Sequence, residues 1–254
     1  MPTDNPAGVQ LYTLRHVPLA ERPAMLKALA AAGYGAVEPP RDKAGPQQLR
    51  DELDAAGLVV SSFHARPAED VEGAVATARI LGTDTVIVPA GPRDHWASEE
   101  GVLAYAREMG ELGRRLADDG IRLGYHNHEF EFASFGGRSA LEVFADALPP
   151  EVVLEVDAYW AAVGGQDVPA LLTRLGDRVR YLHVKDGPAR DTATPMTAVG
   201  AGTLPVADIL AACPSAEWHI VELDACATDV FEAVVDSLDW LVAHGLARRA
   251  GEGR

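Results

Sequence analysis

The sequence predicts a single α/β domain closed into a (β/α)8 barrel. Eight short runs rich in β-formers alternate with longer helical patterns from one end of the chain to the other. A strand–helix repeat of that kind requires a parallel sheet. Eight such units in 254 residues suit a closed barrel folded as one unit. An open doubly wound sheet is the rival architecture, but the first strand–helix turn carries no Gly-rich dinucleotide fingerprint.

The strands are expected at residues 8–12, 35–38, 58–64, 85–89, 121–128, 152–157, 179–185 and 218–223. Residues 18–32 read as a helix, with Leu19, Met25, Leu26 and Leu29 near helical spacing. The longest helix is expected at 98–119, carried by Leu103, Met109, Leu112 and Leu116. The last is marked by Phe231, Val234, Val235, Leu238, Leu241 and Val242. Gly33, Gly57, Gly82 and Gly120 sit where a helix hands over to a strand, as glycine does beyond a helix C-terminus. Eight helices in strict alternation follow from this reading. One long irregular stretch, 186–204, follows the seventh strand, and loops of that length are often functional. The domain spans 1–254, with 246–254 expected to fray.

The formal net charge of −16 disfavours binding to a nucleic-acid backbone, which needs a basic patch. No apolar run is long enough for a membrane helix. Residues 1–7 lack the basic and apolar regions of a secretory signal. Cys213 and Cys226 have no metal-ligand spacing and are too few for a disulfide framework. A reduced, cytoplasmic enzyme is the expectation.

Strand residues alternate between faces. In a barrel the outward face packs on helices and should be apolar. Ile121, Leu123 and Tyr125 take that face in the fifth strand, which turns Gly124, His126 and His128 inward. The same phase turns Glu155 and Asp157 inward on the sixth strand, His183 and Lys185 on the seventh, and Ile220, Glu222 and Asp224 on the eighth. Glu38 and His64 point inward from the second and third strands, and Gln10 shares a face with Tyr12 on the first. The polar groups lie at the C-terminal ends of their strands, the end that carries the active site in this fold. Carboxylates and imidazoles converging there can bind a divalent cation of the Mn, Mg, Co or Zn type, a Lewis acid that polarises a carbonyl or hydroxyl oxygen. Glu155, one layer deeper, is expected to orient ligands rather than to be one.

Several motifs carry a family resemblance. They are Gly8-Val9-Gln10-Leu11-Tyr12, Tyr125-His126-Asn127-His128 with Phe130-Glu131-Phe132, and Glu155-Val156-Asp157-Ala158-Tyr159-Trp160. His183-Val184-Lys185-Asp186, Gly200-Ala201-Gly202 and Val221-Glu222-Leu223-Asp224 complete the set. Over nearly its whole length the chain resembles the xylose isomerase-like TIM barrels, the sugar phosphate isomerases and epimerases and their inosose dehydratase-like branch. The resemblance implies one divalent metal ion, with one ligand from each of strands five to eight. Asp157, His183 and Glu222 match the last three. His126 stands where many sugar epimerases have glutamate, and His128 either replaces it or transfers protons. Glu131 corresponds to a substrate-contacting glutamate of the epimerases. Ala201 stands where relatives often carry an acid. Endonuclease IV shares the barrel but needs a second histidine three residues past the sixth-strand aspartate, where this chain has Trp160.

The function expected is a metal-dependent isomerase or epimerase of a small sugar or polyol, working by proton transfer through a metal-stabilised enediolate. His128, Lys185 and Glu131 are the catalytic candidates, with Lys185 either stabilising an oxyanion or simply paired with Asp186. Gln10, Glu38, His64 and Trp160 are the substrate-binding candidates, Trp160 either walling a sugar ring or covering the barrel mouth. Two alternatives stay open: a lyase that dehydrates an inosose or cleaves a 3-keto-glycoside, and a catalytically degenerate sugar-binding barrel. The partner expected is a small molecule, with no nucleic acid, no membrane and a homodimer left open.

Overall fold

The computed structural model describes residues 6–42 and 44–251. The strands are β1 (Gly8–Gln10), β2 (Ala36–Glu38), β3 (Val59–Val60), β4 (Phe63–His64), β5 (Thr85–Val88), β6 (Arg122–His126), β7 (Ser134–Phe135), β8 (Arg138–Ser139), β9 (Val153–Asp157), β10 (Val179–Val184) and β11 (Trp218–Val221). Nine of them form one parallel sheet in the order β3-β2-β1-β11-β10-β9-β6-β5-β4. β3 and β4 are the two halves of the expected third strand, parted at Ser61-Ser62, so the sheet returns on itself as an eight-stranded barrel. The break has a local cause. Ser61 keeps its backbone bond to the Val37 carbonyl, whereas the Ser62 hydroxyl turns to the Glu38 carboxylate.

The pleat follows the sequence reading. Val37, Val86, Leu123, Tyr125, Leu154, Val156, Leu182, Val184 and Val221 join the helices in one apolar cluster. Ile87, Val153, Tyr181 and Ile220 form a second, separate cluster. They sit on the opposite face and plug the barrel below its catalytic end. Gly124 belongs to this inner face. A Cβ there would lie 2.3 Å from Ile87 Cδ1 and 3.3 Å from Val153 Cγ2, so only glycine leaves room for the plug.

The helices are α1 (Arg22–Ala32), α2 (Pro46–Ala56), α3 (Val71–Leu81), α4 (Glu99–Ala117), α5 (Ala140–Ala147), α6 (Ala158–Val163), α7 (Val168–Leu175), α8 (Val206–Ala211) and α9 (Val230–Ala243). Side-chain oxygens of Asp70, Ser98, Ser139, Asp167 and Asp229 cap α3, α4, α5, α7 and α9. The four glycines expected past helix ends all have positive φ. Three details depart from the expectation. The sixth unit carries two helices, α6 and α7, making nine among the described residues. The first expected strand shortens to three residues, and Leu11–Leu14 winds into a 3-10 turn under the Gln10 side chain. An antiparallel β7–β8 hairpin interrupts the alternation, turning on Gly136-Gly137 at φ +59° and +87°, the pattern of a tight two-residue hairpin loop. The tail also differs. Residues 252–254 lie outside the described set, but the chain before them is docked rather than frayed. The Ala250 N–H donates to the Gly33 carbonyl at 2.8 Å, and Arg249 reaches the Ala32 carbonyl and Asp239.

The stretch 187–204 is irregular, as expected, but not loose. The buried Asp186 carboxylate accepts from the backbone N–H groups of Gly187 (2.7 Å), Gly200 (2.9 Å), Gly202 (3.1 Å) and Leu204 (3.1 Å). Gly202 is required by this closeness, since a Cβ would come within 2.2 Å of the Gly187 nitrogen. Asp186→Ala strips the acceptor from four N–H groups. It is expected to destabilise the fold by about 2–4 kcal/mol in urea unfolding and to expose residues 187–204 to limited proteolysis. Unchanged stability and an intact loop would contradict this role.

Candidate active site

Above the apolar plug the barrel interior becomes polar while staying buried. Gln10, Glu38, Glu155, Asp157 and His183 are fully buried, and His126 and Lys185 nearly so. The lower tier is a chain of carboxylates joined by imidazoles. Glu38 accepts from Gln10 Nε2 (2.8 Å) and the Ser62 hydroxyl, and lies 2.7 Å from His183 Nε2 and 3.1 Å from His64 Nε2. His64 Nε2 also lies 2.7 Å from Glu155. His183 spans both tiers, its Nδ1 lying 2.8 Å from Glu222 on the rim.

The rim is built by the ends of β6, β9, β10 and the residues after β11. Asp157 divides its carboxylate. Oδ1 accepts from the Trp160 N–H and caps α6, while Oδ2 faces the axis. Asn127 braces this strand end, accepting from the Asp157 N–H at 3.0 Å and donating to its carbonyl at 3.3 Å. The Lys185 ammonium stands between three carboxylates, 2.7 Å from Asp157, 2.6 Å from Glu222 and 2.5 Å from Asp224. Its counter-ions are therefore across the barrel. The adjacent Asp186 is occupied by the loop, so the expected alternative pairing of Lys185 with Asp186 does not occur.

Charge states follow from these contacts. Burial opposes ionisation of His64, but Glu38 and Glu155 outweigh it and lift its pKa to about 10. His183 is raised against the same penalty by Glu155, Glu222 and Glu38, and Lys185 by Asp157, Asp224 and Glu222. Burial pushes Asp157 up to about 6, more than Lys185 and His183 pull it down. His126 is driven well down by burial and by neighbouring His183, and His128 to about 4 by burial and Lys185. Both imidazoles are thus neutral at pH 7, each with one nitrogen lone pair.

A divalent cation fits the rim. His126, Asp157, His183 and Glu222 each offer a ligand atom, and these atoms all lie within 4.8 Å of one another. Asp157 Oδ2 is buried with no aligned hydrogen bond, although the Lys185 ammonium is within ion-pair distance. Two imidazoles and two carboxylates suit Mn, Co or Zn, and Mg less well.

A cavity of about 750 Å³ opens over this floor, bounded by His64, His126, His128, Glu222 and Asp224 on the barrel side. Tyr12, Arg41, Asp42, Phe63 and Arg66 line it further out. Not every sequence candidate reaches it. Gln10 and Glu38 are sealed in the lower tier, where they hold His64 and His183, and only His64 of the four substrate-binding candidates touches the cavity. Trp160 is 8% exposed and does not line it; its ring stacks with His128 at 6.4 Å and lies 5.4 Å from the Lys185 ammonium. Glu131 is fully buried. It accepts from the Tyr125 hydroxyl (2.7 Å) and the His128 N–H (2.9 Å), so it positions His128 and does not line the cavity. Lys185 is 1% exposed and meets the cavity through the carboxylates it holds. Sequence reasoning turned Asp224 inward but passed over its role at the rim, for which its i+2 spacing from Glu222 was the signal. It also passed over Asn127 and the outer wall, which loops supply without any periodicity.

Residues 26–244 match the family described as xylose isomerase-like TIM barrel. The chain belongs to this family. A sugar phosphate isomerase/epimerase from Parabacteroides distasonis ATCC 8503 superposes with a TM-score of 0.83 at 25% identity, over 95% of each chain. A probable 3-DHS dehydratase of petrobactin synthesis from Bacillus anthracis shares the fold, with a TM-score of 0.71 at 11% identity over 93% of this chain and 98% of that one. An L-ribulose 3-epimerase does so with a TM-score of 0.68 at 16% identity over 95% and 94%. No curated protein is a significant match in sequence. Among the described residues of this xylose isomerase-like chain, no helix is long and apolar enough to cross a membrane.

Glu222→Gln is expected to weaken Mn2+ binding by roughly 100-fold or more, since even losses behind a ligand reach that size, while circular dichroism stays that of a folded barrel. Equal affinities by isothermal titration calorimetry would remove Glu222 from the ligand set. Glu131 gives a pH dependence. Burial raises its pKa from 4.5 to about 7, against the bonds from Tyr125 and His128. The folded chain then holds a proton that the unfolded chain releases above 4.5, so this group's contribution to stability falls as pH rises from 4.5 through 7. The stability of the native chain minus that of Glu131→Gln should decline across that window and level off above it. A flat difference in urea unfolding would refute the shift.

Proposed function

We propose that the chain is a metal-assisted isomerase or epimerase of small keto-sugars or polyols. The observation that carries this reading is the convergence of His126, Asp157, His183 and Glu222 on one point at the floor of the cavity. The similarity to the sugar phosphate isomerase/epimerase over 95% of both chains supports the substrate class. When bound by those four residues, a divalent cation supplies a Lewis acid that draws negative charge onto substrate oxygens.

The remaining work falls to the chain itself. His128 faces the cavity as a neutral imidazole, held between the Phe130 and Trp160 rings. Its Nδ1 is buried and has no hydrogen-bond partner among the described residues. It is the proton-transfer group of this proposal, taking the proton next to the substrate carbonyl. Glu131 fixes the backbone from which His128 projects. Lys185 ties Asp157, Glu222 and Asp224 together through ion pairs and places a positive group behind the oxygen where charge develops. Asp224 lines the cavity beside Glu222 and hydrogen-bonds a substrate hydroxyl, as His64 does from the opposite wall. The buried tiers beneath the floor make these charges act through a low dielectric.

The test is incubation of the manganese-loaded protein with keto-sugars and inososes in heavy water, followed by NMR after removal of the metal. Exchange of the proton beside the carbonyl, with interconversion of epimers, is the result expected. Release of water or of a leaving group would make the chain a lyase, and neither reaction with metal bound would make it a sugar-binding barrel. His128→Asn should lower kcat by about 10²–10⁴-fold and leave metal affinity unchanged.

A further inference from the structure

Below the rim, three imidazole nitrogens surround a single carboxylate oxygen. Glu155 Oε2 lies 2.7 Å from His64 Nε2, 3.1 Å from His126 Nδ1 and 3.3 Å from His183 Nε2. The three ring centroids are 4.6, 5.3 and 5.7 Å apart. One ligand atom from each of His64, His126, Glu155 and His183 falls within 4.8 Å of the others, and all four residues are buried. Two atoms of this group are unused. Among the described residues Glu155 Oε1 has no hydrogen-bond partner, and His126 Nδ1 approaches Glu155 without the alignment of a hydrogen bond. Both belong to side chains at least 97% buried. Leaving such atoms without a partner is costly.

We infer that His64, His126, His183 and Glu155 form a second, deeper cation seat, selective for an ion that prefers tetrahedral nitrogen-rich coordination, such as Zn2+ or Co2+. Three imidazoles and one carboxylate are a donor set of that class, whereas Mg2+ and Mn2+ favour oxygen. All four residues are buried and only His64 and His126 of them line the cavity, so the seat leaves little room for a substrate oxygen. A closed coordination shell is the mark of a holding site rather than of a catalytic one.

The two seats share two ligands through opposite ring nitrogens. His183 turns Nδ1 to Glu222 on the rim and Nε2 to Glu155 below. His126 turns Nε2 towards Asp157 and Nδ1 towards Glu155. A neutral imidazole has one lone-pair nitrogen, and the other carries hydrogen. An ion in the deep seat therefore releases to solvent the protons that His64 and His183 share with Glu38 and Glu155 and takes the lone pairs that the rim needs, so the two seats exclude each other. Zinc in the deep seat displaces manganese from the rim. That this silences turnover rests on the proposed function; the occupancy itself does not.

The metal-free chain titrated with Co2+ is expected to bind one ion and to develop the intense visible absorption of tetrahedral cobalt. The band should persist in Glu222→Gln and Asp157→Asn, which damage only the rim. It should disappear in His64→Gln and Glu155→Gln, each first shown to be folded by circular dichroism, with Mn2+ binding retained in His64→Gln. In the native chain, Zn2+ should release bound Mn2+ one for one, read from the electron paramagnetic resonance signal of the free ion. Absence of the intense band in the native chain, its loss in the rim variants, or its survival in either deep variant overturns the second seat. Uptake of two cobalt ions at once overturns the exclusion. Failure of Mn2+ to bind the native chain, with the cobalt band intact, sinks the proposed function and leaves the deep seat standing.

Discussion

Carboxylates cannot be buried in number without cations, and this chain puts Glu38, Glu155, Asp157 and Glu222 inside its barrel with Asp224 at the edge. Each would neutralise itself by taking up a proton if it stood alone. Instead imidazoles and one ammonium are interleaved between them, so that most carboxylates meet two positive or hydrogen-donating groups from different strands. The interior is therefore fixed by charge alternation across the barrel rather than by shape alone. That requirement explains local oddities. The third strand breaks so that Ser62 can reach Glu38, and Gln10 is spent inside the barrel rather than on the cavity.

The alternation works because the floor is buried. Ile87, Val153, Tyr181 and Ile220 close the axis below the lower tier, and Gly124 makes the space for them. Beneath that plug, Arg122 bonds Thr85, Tyr181 and Glu217 and finishes the N-terminal end with a separate polar network. Charged groups at the catalytic end thus interact with one another more strongly than they would in water. Paired charges of this kind are weak contributors to net stability but strong determinants of which arrangement is adopted. The cavity then opens over Glu222, Asp224 and the neutral imidazoles, where potential is concentrated.

The barrel was legible because its signals are local and periodic. Alternation along each strand was enough to turn Gly124, His126, Glu155, Asp157, His183, Lys185 and Glu222 inward, and the structure gathers the four expected ligand residues. What escaped is non-local. Nothing beside Lys185 in the chain says that its carboxylates come from β9 and the end of β11, and the neighbouring Asp186 was the obvious but mistaken choice. Depth was also hidden. Phase shows that Glu38 and Gln10 face inward, but not that they lie a tier below the cavity. Glu131 resembled a substrate contact because its motif did; its partner Tyr125 lies six residues back, on the outer face of a strand. The Gly136-Gly137 hairpin was signalled by its turn residues but obscured by short strands.

Asp186 has a consequence for how such a barrel diversifies. It grips the loop after β10 through main-chain N–H groups, which every residue except proline possesses. The exposed side chains from Arg190 to Ala193 are thereby uncoupled from the hold that keeps the loop in place, whereas Met196 and Val199 are buried in the core. Substitutions at those exposed positions can alter what the loop presents to its surroundings at little cost to folding, whereas Gly202 cannot change. The loop is a replaceable panel on a fixed hinge, and variation between relatives can accumulate in it without disturbing the charges beneath.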